Sequence, residues 1–322
     1  MIKAIAIIAG EPNSISSEII FKSWKLRKKY KHMPFFIIGS LNILNLQRKK
    51  LKYQIKLQEI KKDFKIKDLK CNTLPVFNIN YVQKKPFQKV STKSKSYILN
   101  CFNTALKLIK NKKIVGFINC PINKSSLFKD RYQGITEFLS KKAKIKNKEV
   151  MLIYNKKLSV APATTHIPLR EVSKKIKKKL IINKIITINN FYRKILNKKP
   201  NIAILGLNPH NYSKGRKSEE KTIIHPAIKF LKKRFKIIGP VSPDSSFSIL
   251  RKFKIDVIFG MYHDQVLTPF KALFKYNAIN ITLGLPYVRI SPDHGTAENI
   301  VGKRKANPES LIESIKFFNN LK

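Results

Sequence analysis

Short apolar runs rich in β-branched residues alternate along this chain with longer amphipathic segments whose polar positions are mostly lysine. Eight runs have the length and composition of buried strands: 2–9, 35–38, 114–119, 150–154, 158–161, 202–207, 255–260 and 278–283. Helical spacing predicts helices over 17–30, 94–110, 171–196, 219–233 and 308–321. The strands read as continuous apolar runs, as expected of a sheet covered on both faces. The pattern is therefore that of an α/β protein with a largely buried sheet. Residues 49–93 show no clear period and read as a lysine-loaded excursion holding a strand or two. No internal repeat, long Gly/Ser linker or low-complexity tail interrupts the chain, so a domain boundary must fall inside ordered structure, near Pro121.

Composition supports this outline. At 322 residues and 43% hydrophobic content the chain can bury a large core, divided between two lobes. Its formal charge of +49 would ordinarily point to nucleic acid or an anionic surface. The lysines are spread over most of the expected helices, as in KLRKKYK, EVSKKIKKKL and FLKKRFK, and accompany an excess of Ile and Asn. These three residue types share A/T-rich codons, so biased coding on solvent-facing positions explains the charge. Nucleic acid is not an expected partner, and a polyanion-binding protein is kept as the alternative from a different class.

Cys71, Cys101 and Cys120 are odd in number and lack a C-x-x-C spacing, which predicts reduced thiols in the cytoplasm and no cysteine zinc site. The first apolar run is short and meets Gly10-Glu11-Pro12 without a cleavage signal, so it reads as a buried strand. No run approaches the roughly 18 apolar residues that cross a bilayer, and no membrane association is expected. A G-x-G-x-x-G fingerprint is absent after the first strand, which argues against an ordinary Rossmann nucleotide site.

Candidate chemistry gathers where the apolar runs end. Three of the six histidines close such runs in the same way: LSVAPATTH at His166, IAILGLNPH at His210 and IDVIFGMYH at His263. Ligands collect beyond the carboxyl ends of strands in α/β sheets, so three neutral imidazoles there could form an open divalent-metal site. Zinc is the chemical favourite and other divalent ions are feasible. Three unrelated histidines at loop starts is the competing reading. Asp264, next to His263, could support a ligand, act as a general base or only cap a helix.

The 43 residues from Gly260 to Gly302 carry two lysines in a chain with 67 Lys+Arg, and their charges balance. Within this window Lys271, Asn280 and Arg289 fall at a loop, a strand and the turn after it, and could clamp a phosphate or carboxylate. Thr136, in QGITEFL, precedes a helical pattern that it could cap, or it could donate to an anion. His294 reads as part of a turn, and no role is expected for His32 or His225.

Seven ordered motifs then carry a resemblance: CPINKSSL, GITEFL, TTHIPLREV, LNPH, GPVSPDSSF, MYHDQVLTPFKAL and NITLGLPYVRISPDHGTA. Their order and spacing run nearly the full length, and the chain resembles the 4-hydroxythreonine-4-phosphate dehydrogenase family of vitamin B6 biosynthesis. The resemblance implies an isocitrate/isopropylmalate-dehydrogenase-like fold of two α/β lobes with a cleft between them. The expected lobes are 1–120 with 295–322, and 121–294, the second carrying the interface of a homodimer with a shared active site.

The resemblance also implies NAD or NADP as oxidant and a divalent metal, zinc first, with magnesium or cobalt as alternatives. The metal would be held by His166, His210 and His263, which with Asp264 form the expected catalytic set. A phosphorylated small molecule would meet Thr136, Lys271, Asn280 and Arg289. It is expected to be 4-phosphooxy-L-threonine, with another phosphorylated hydroxy acid such as threonate 4-phosphate, or a weakened enzyme, as alternatives. This chain departs from the family at Ile135, where a histidine is usual. It departs again at Ser14 and Ser16, which stand for glycines, and at Asn211-Tyr212-Ser213-Lys214-Gly215, usually A-G-E-G-G.

Overall fold

The computed structural model describes residues 4–69, 72–128, 132, 134–145, 148–212, 218–248, 253–275 and 277–321. Residues 2–3 of the expected first strand, Cys71, Ser213, Lys214 and Gly215 lie outside the described residues. The chain divides into two compact units, one of residues up to 133 and from 287 onward, the other from 134 to 286. The first unit begins with strands β1 (Ile5–Ile8), β2 (Phe35–Gly39), β3 (Leu57–Glu59), β4 (Leu74–Asn78) and β5 (Gly116–Asn119). The second holds β6 (Val150–Tyr154), β7 (Ser159–Pro162), β8 (Ile202–Leu205), β9 (Ile237–Val241), β10 (Val257–Gly260) and β11 (Ile279–Leu283). The chain then returns to the first unit as β12 (Val288–Pro292). Arg289 therefore sits within a strand and not in the turn expected for it. Its strand pairs with β5, which is why the return crossing precedes the expected residue 294.

In the first unit the order is β3-β4-β2-β1-β5-β12, every pairing parallel. The excursion at 49–93 supplies the edge pair β3 and β4. In the second unit the order is β11-β6-β7-β10-β8-β9. There β6 runs antiparallel to both neighbours, because only Asn155 to Leu158 separate it from β7, too short for a crossover. Strands β7, β10, β8 and β9 are mutually parallel. The helix expected over 171–196 is broken, as Val172–Lys175 and Lys178–Ile195, with Ile176 extended between them. The helix His263–Phe274, with Pro269 inside it, was not among the expected helices. Its face of Val266, Leu267 and Phe270 is buried with Ile258, Leu205 and Val160 of the neighbouring strands.

In the first unit the chain reverses direction across the sheet at β1, which has β2 on one side and β5 on the other. The loops after β1 and β5 meet there. Gly10 has φ +75°, and a Cβ on it would stand 2.4 Å from the Pro121 carbonyl oxygen. Ser14 and Ser16 do not need the freedom of the glycines they replace, since neither has a positive φ. Their hydroxyls tie the loop internally: Ser14 Oγ donates to the Glu11 carbonyl at 2.6 Å and shares a 2.7 Å hydrogen bond with Ser16 Oγ. Glu11 is fully buried and accepts from the Asn13 amide at 3.1 Å and Ser94 Oγ at 3.0 Å. Burial raises the pKa of its carboxyl above the ordinary glutamate value. Cys101 and Cys120 are buried free thiols, and burial pushes Cys101 up to about 12. Among the described residues no helix is long and apolar enough to cross a membrane.

Two outcomes follow. Gly10→Ala should lower the free energy of urea unfolding by more than the roughly 1–2 kcal/mol of a left-handed L-residue, because its methyl also strikes backbone. Glu11→Gln should do the opposite at neutral pH. A raised carboxyl pKa gives stability that is complete below the unfolded value and lost as pH rises through the folded one. The variant should therefore be more stable than the parent at neutral pH, and equal to it below the ordinary glutamate range; a gap that persists in acid would contradict this.

Candidate active site

Three adjacent strands of the second unit, β7-β10-β8, deliver the three run-ending histidines from their carboxyl ends. Neighbouring strands lie about 4.8 Å apart, so the three segments leave the same sheet edge side by side. The pairing of β7 with β10 continues past both strands. The Ala163 amide donates to the Gly260 carbonyl at 2.8 Å, and Thr164 donates to the Met261 carbonyl through its amide at 3.2 Å and its hydroxyl at 2.8 Å. This places the His166 and His263 rings with centroids 5.7 Å apart.

His263 opens the helix His263–Phe274, and its Nδ1 lies 2.9 Å from Asp264 Oδ1. Gln265 ties this turn to the next strand: its Oε1 accepts from the Met261 amide at 2.6 Å and its Nε2 donates to the Gly206 carbonyl at 2.8 Å. The packing requires Gly260, where a Cβ would stand 2.5 Å from Val266 and 2.7 Å from Gln265. His166 has Glu137 Oε1 3.9 Å from its Nδ1. Lys184, buried, donates to the Glu149 carbonyl at 3.0 Å; burial lowers its pKa while Glu149 and Glu137 oppose that shift.

His210 behaves differently. Its side chain is 82% exposed, and its Nδ1 stands 3.6 Å from Asp244 Oδ2. The Ser242 hydroxyl, above all, holds the Asp244 carboxyl below its ordinary pKa, with the His210 charge adding to the effect. His210 and Asn211 both take the left-handed conformation, at φ +52° and +55°. Such residues cost of order 1–2 kcal/mol each. Glu220, fully buried, holds the loop: its Oε1 accepts from the amides of Leu207 at 2.9 Å and Asn208 at 2.8 Å, and its Oε2 from Asn208 Nδ2 at 2.8 Å. Asn211 Nδ2 donates to the Pro240 carbonyl at 3.0 Å.

Among the described residues no three His, Cys, Asp or Glu side chains come close enough to hold one ion. The strand order thus aligns all three expected metal ligands, and the side chains of one chain bring together two. His166 and His263, each with a carboxylate near Nδ1, suit a divalent ion taken at Nε2. Among the described residues the third expected ligand, His210, does not join them.

Thr136 does not precede its helix; it lies inside Ile135–Lys142, whose N-cap is Gly134. Its hydroxyl meets Thr282 Oγ1 at 3.2 Å. Asn280, two residues earlier on β11, faces the same side of that strand. Its Oδ1 is buried with no hydrogen-bond partner among the described residues. Ile135 is 5% exposed, so an aliphatic side chain suits the position. Lys271 is exposed on the last turn of the helix His263–Phe274 and not in a loop. Arg289 is buried in the first unit, where its Nε donates to Asn119 Oδ1 at 2.7 Å.

The supporting residues Glu137, Gln265, Thr282 and Glu220 were not singled out in the sequence. The scarcity of acids, 18 against 67 cations, was a usable signal for the two glutamates. Glu220→Ala should remove the acceptor for two amides, cost about 1–3 kcal/mol and abolish the hydrogen-exchange protection of Leu207 and Asn208. Glu220→Gln, which keeps one carbonyl oxygen at Oε1, should retain most of that protection.

The chain matches the family model of the Pyridoxal phosphate biosynthetic protein PdxA over residues 31–318. It is 38% identical to the 4-hydroxythreonine-4-phosphate dehydrogenase of Sulfurihydrogenibium sp. over 317 residues, which cover 97% of this chain and 96% of that protein. The enzyme of that name from Aquifex aeolicus is 36% identical, covering 100% and 99%. The crystal structure of 4-hydroxythreonine-4-phosphate dehydrogenase from Klebsiella pneumoniae superposes with a TM-score of 0.83 at 29% identity, covering 98% of both chains. The fold, the order of the motifs and these full-length matches agree: the chain belongs to the pyridoxal phosphate biosynthetic protein PdxA family.

Proposed function

We propose that this chain is a cytoplasmic, NAD- or NADP-dependent dehydrogenase. It oxidises 4-phosphooxy-L-threonine to a 3-oxo acid that loses CO2 to give 3-amino-2-oxopropyl phosphate, within pyridoxal phosphate synthesis. The observation that carries the reading is the alignment of His166, His263 and His210 on three adjacent parallel strands, with two of the rings 5.7 Å apart. The names of the full-length relatives support the substrate.

Asp264 at Nδ1 of His263 selects the tautomer that leaves Nε2 as a lone-pair donor, and Glu137 favours the same tautomer of His166. A divalent ion held by these imidazoles would supply Lewis acidity and lower the pKa of the substrate hydroxyl. Asn280 Oδ1, buried and unpartnered among the described residues, would accept from the substrate's hydroxyl or ammonium group. Thr136 lies with Thr282 on the same side of β11 and would orient the same group. Lys271 and Arg289 are assigned to the anionic ends, Arg289 with its Nε already fixed by Asn119. Holding the carbinol carbon in one position would spare its oxidation by a bound nicotinamide a search of orientations.

His210 is exposed and stands apart from the other two rings, which supports a homodimer in which one copy completes the set begun by the other. The purified protein should form reduced nicotinamide from 4-phosphooxy-L-threonine only when loaded with zinc, magnesium or cobalt. Absence of turnover with all three would end this reading. Asp264→Asn should weaken metal affinity roughly 10- to 100-fold by equilibrium dialysis. Mixed dimers of His210→Ala and His263→Ala chains, each inactive alone, should regain activity, since one of the two sites is then intact; none would return if all three histidines belonged to one chain.

A further inference from the structure

We infer that the second unit carries a separate binding site for a small polyphosphate anion, at the opposite end of its sheet from the histidines. A cleft of about 350 Å³ is lined by Arg193, Lys199, Lys232, Arg234 and Lys236, with Asn189 at its wall and no acidic residue. None of these cationic side chains has a hydrogen-bond or ion-pair partner among the described residues. Asn189 is 5% exposed, and its side-chain amide makes no hydrogen bond among the described residues, which leaves its polar atoms open to solvent or a ligand at the cleft. It lies four residues before Arg193 on the helix Lys178–Ile195, so both project from one face. Two amide N–H groups, two guanidinium forks and three ammonium groups therefore border one cavity, a donor set matched to several phosphate oxygens.

Pro200 and Lys236 precede β8 and β9, and the Ile202 amide donates to the Lys236 carbonyl at 3.0 Å. The cleft thus lies at the amino ends of these strands, while His210 leaves the carboxyl end of β8, about 13 Å further along.

Two ordinary explanations are weaker. Cations at helix C-termini offset the helix dipole, and the helices Lys178–Ile195 and His225–Lys232 both end here. Each end is worth about half a negative charge. Two ends call for about one cation, and five are present. Biased coding supplies lysine, yet two of the chain's ten arginines line this cleft. An open cleft of this size, with its cations gathered round one point, suits a small anion better than a nucleic-acid strand, which needs charge extended along a groove.

The test is calorimetric titration of the full chain with inorganic pyrophosphate at physiological salt, with orthophosphate as the smaller probe. One equivalent of pyrophosphate should bind, more tightly than orthophosphate. Arg193→Ala/Arg234→Ala should weaken it about tenfold or more while leaving the melting temperature and dehydrogenase turnover unchanged. Lys28→Ala/Lys62→Ala removes the same charge from exposed positions in the first unit and should leave binding intact. Equal weakening by both pairs, or many equivalents bound, would show general attraction to a +49 protein and overturn the proposal. Tighter binding of an oligonucleotide, lost in the arginine pair, would assign the cleft to nucleic acid and overturn it as well.

Discussion

Loop amides donating to buried carboxylates hold the polar chemistry of this protein in place. Only 18 acidic residues stand against 67 basic ones, yet Glu11, Glu18 and Glu220 are almost wholly buried. Each accepts from backbone N–H groups: Glu11 from Asn13, Glu18 from Ala306, Glu220 from Leu207 and Asn208. A buried carboxylate is tolerated only when such donors replace its water, and the donors are drawn into fixed positions in return. Glu220 is the sharpest case, because the loop it holds carries two left-handed residues that would relax without it.

The second constraint is the parallel pairing of β7, β10 and β8. Parallel strands begin at one edge and end at the other, so whatever follows them in sequence emerges together. The ladder extends beyond β7 and β10 through Ala163 and Thr164, and that extension brings His166 beside His263. Past β8 the ladder continues one residue toward β9, the Gly206 amide donating to the Val241 carbonyl at 3.1 Å. There Glu220 captures the amides of Leu207 and Asn208, and His210 turns outward to Asp244. One strand edge thus presents two imidazoles to a common point and a third to the surface.

Much of this was readable beforehand, for identifiable reasons. The β1, β5, β8 and β10 runs are apolar because both faces of the sheet are covered, and continuous burial leaves a continuous signal. The edge strands β3 and β9 have exposed or half-buried positions and left no such signal. The helix His263–Phe274 was not expected, although its inner face is well packed. The lysine-poor window did contain His263, Asn280 and Arg289, yet Thr136, Glu137, His166 and His210 lie outside it. Burial does not account for the window, since about a third of its residues are buried, no larger a share than in the chain as a whole. The serines at positions 14 and 16 looked like a loss of backbone freedom, but no positive φ occurs there and their hydroxyls close the loop.

The sequence by itself determined the fold class, the strand-terminal position of the histidines and the family, since these rest on local composition and on residue order. Tertiary structure alone decided that β10 lies between β7 and β8, that His166 and His263 are neighbours while His210 is not, and that Glu137, Gln265 and Glu220 support them. Strand order and side-chain approach depend on contacts between residues tens of positions apart. Their energies come from pairing and burial that no local pattern encodes.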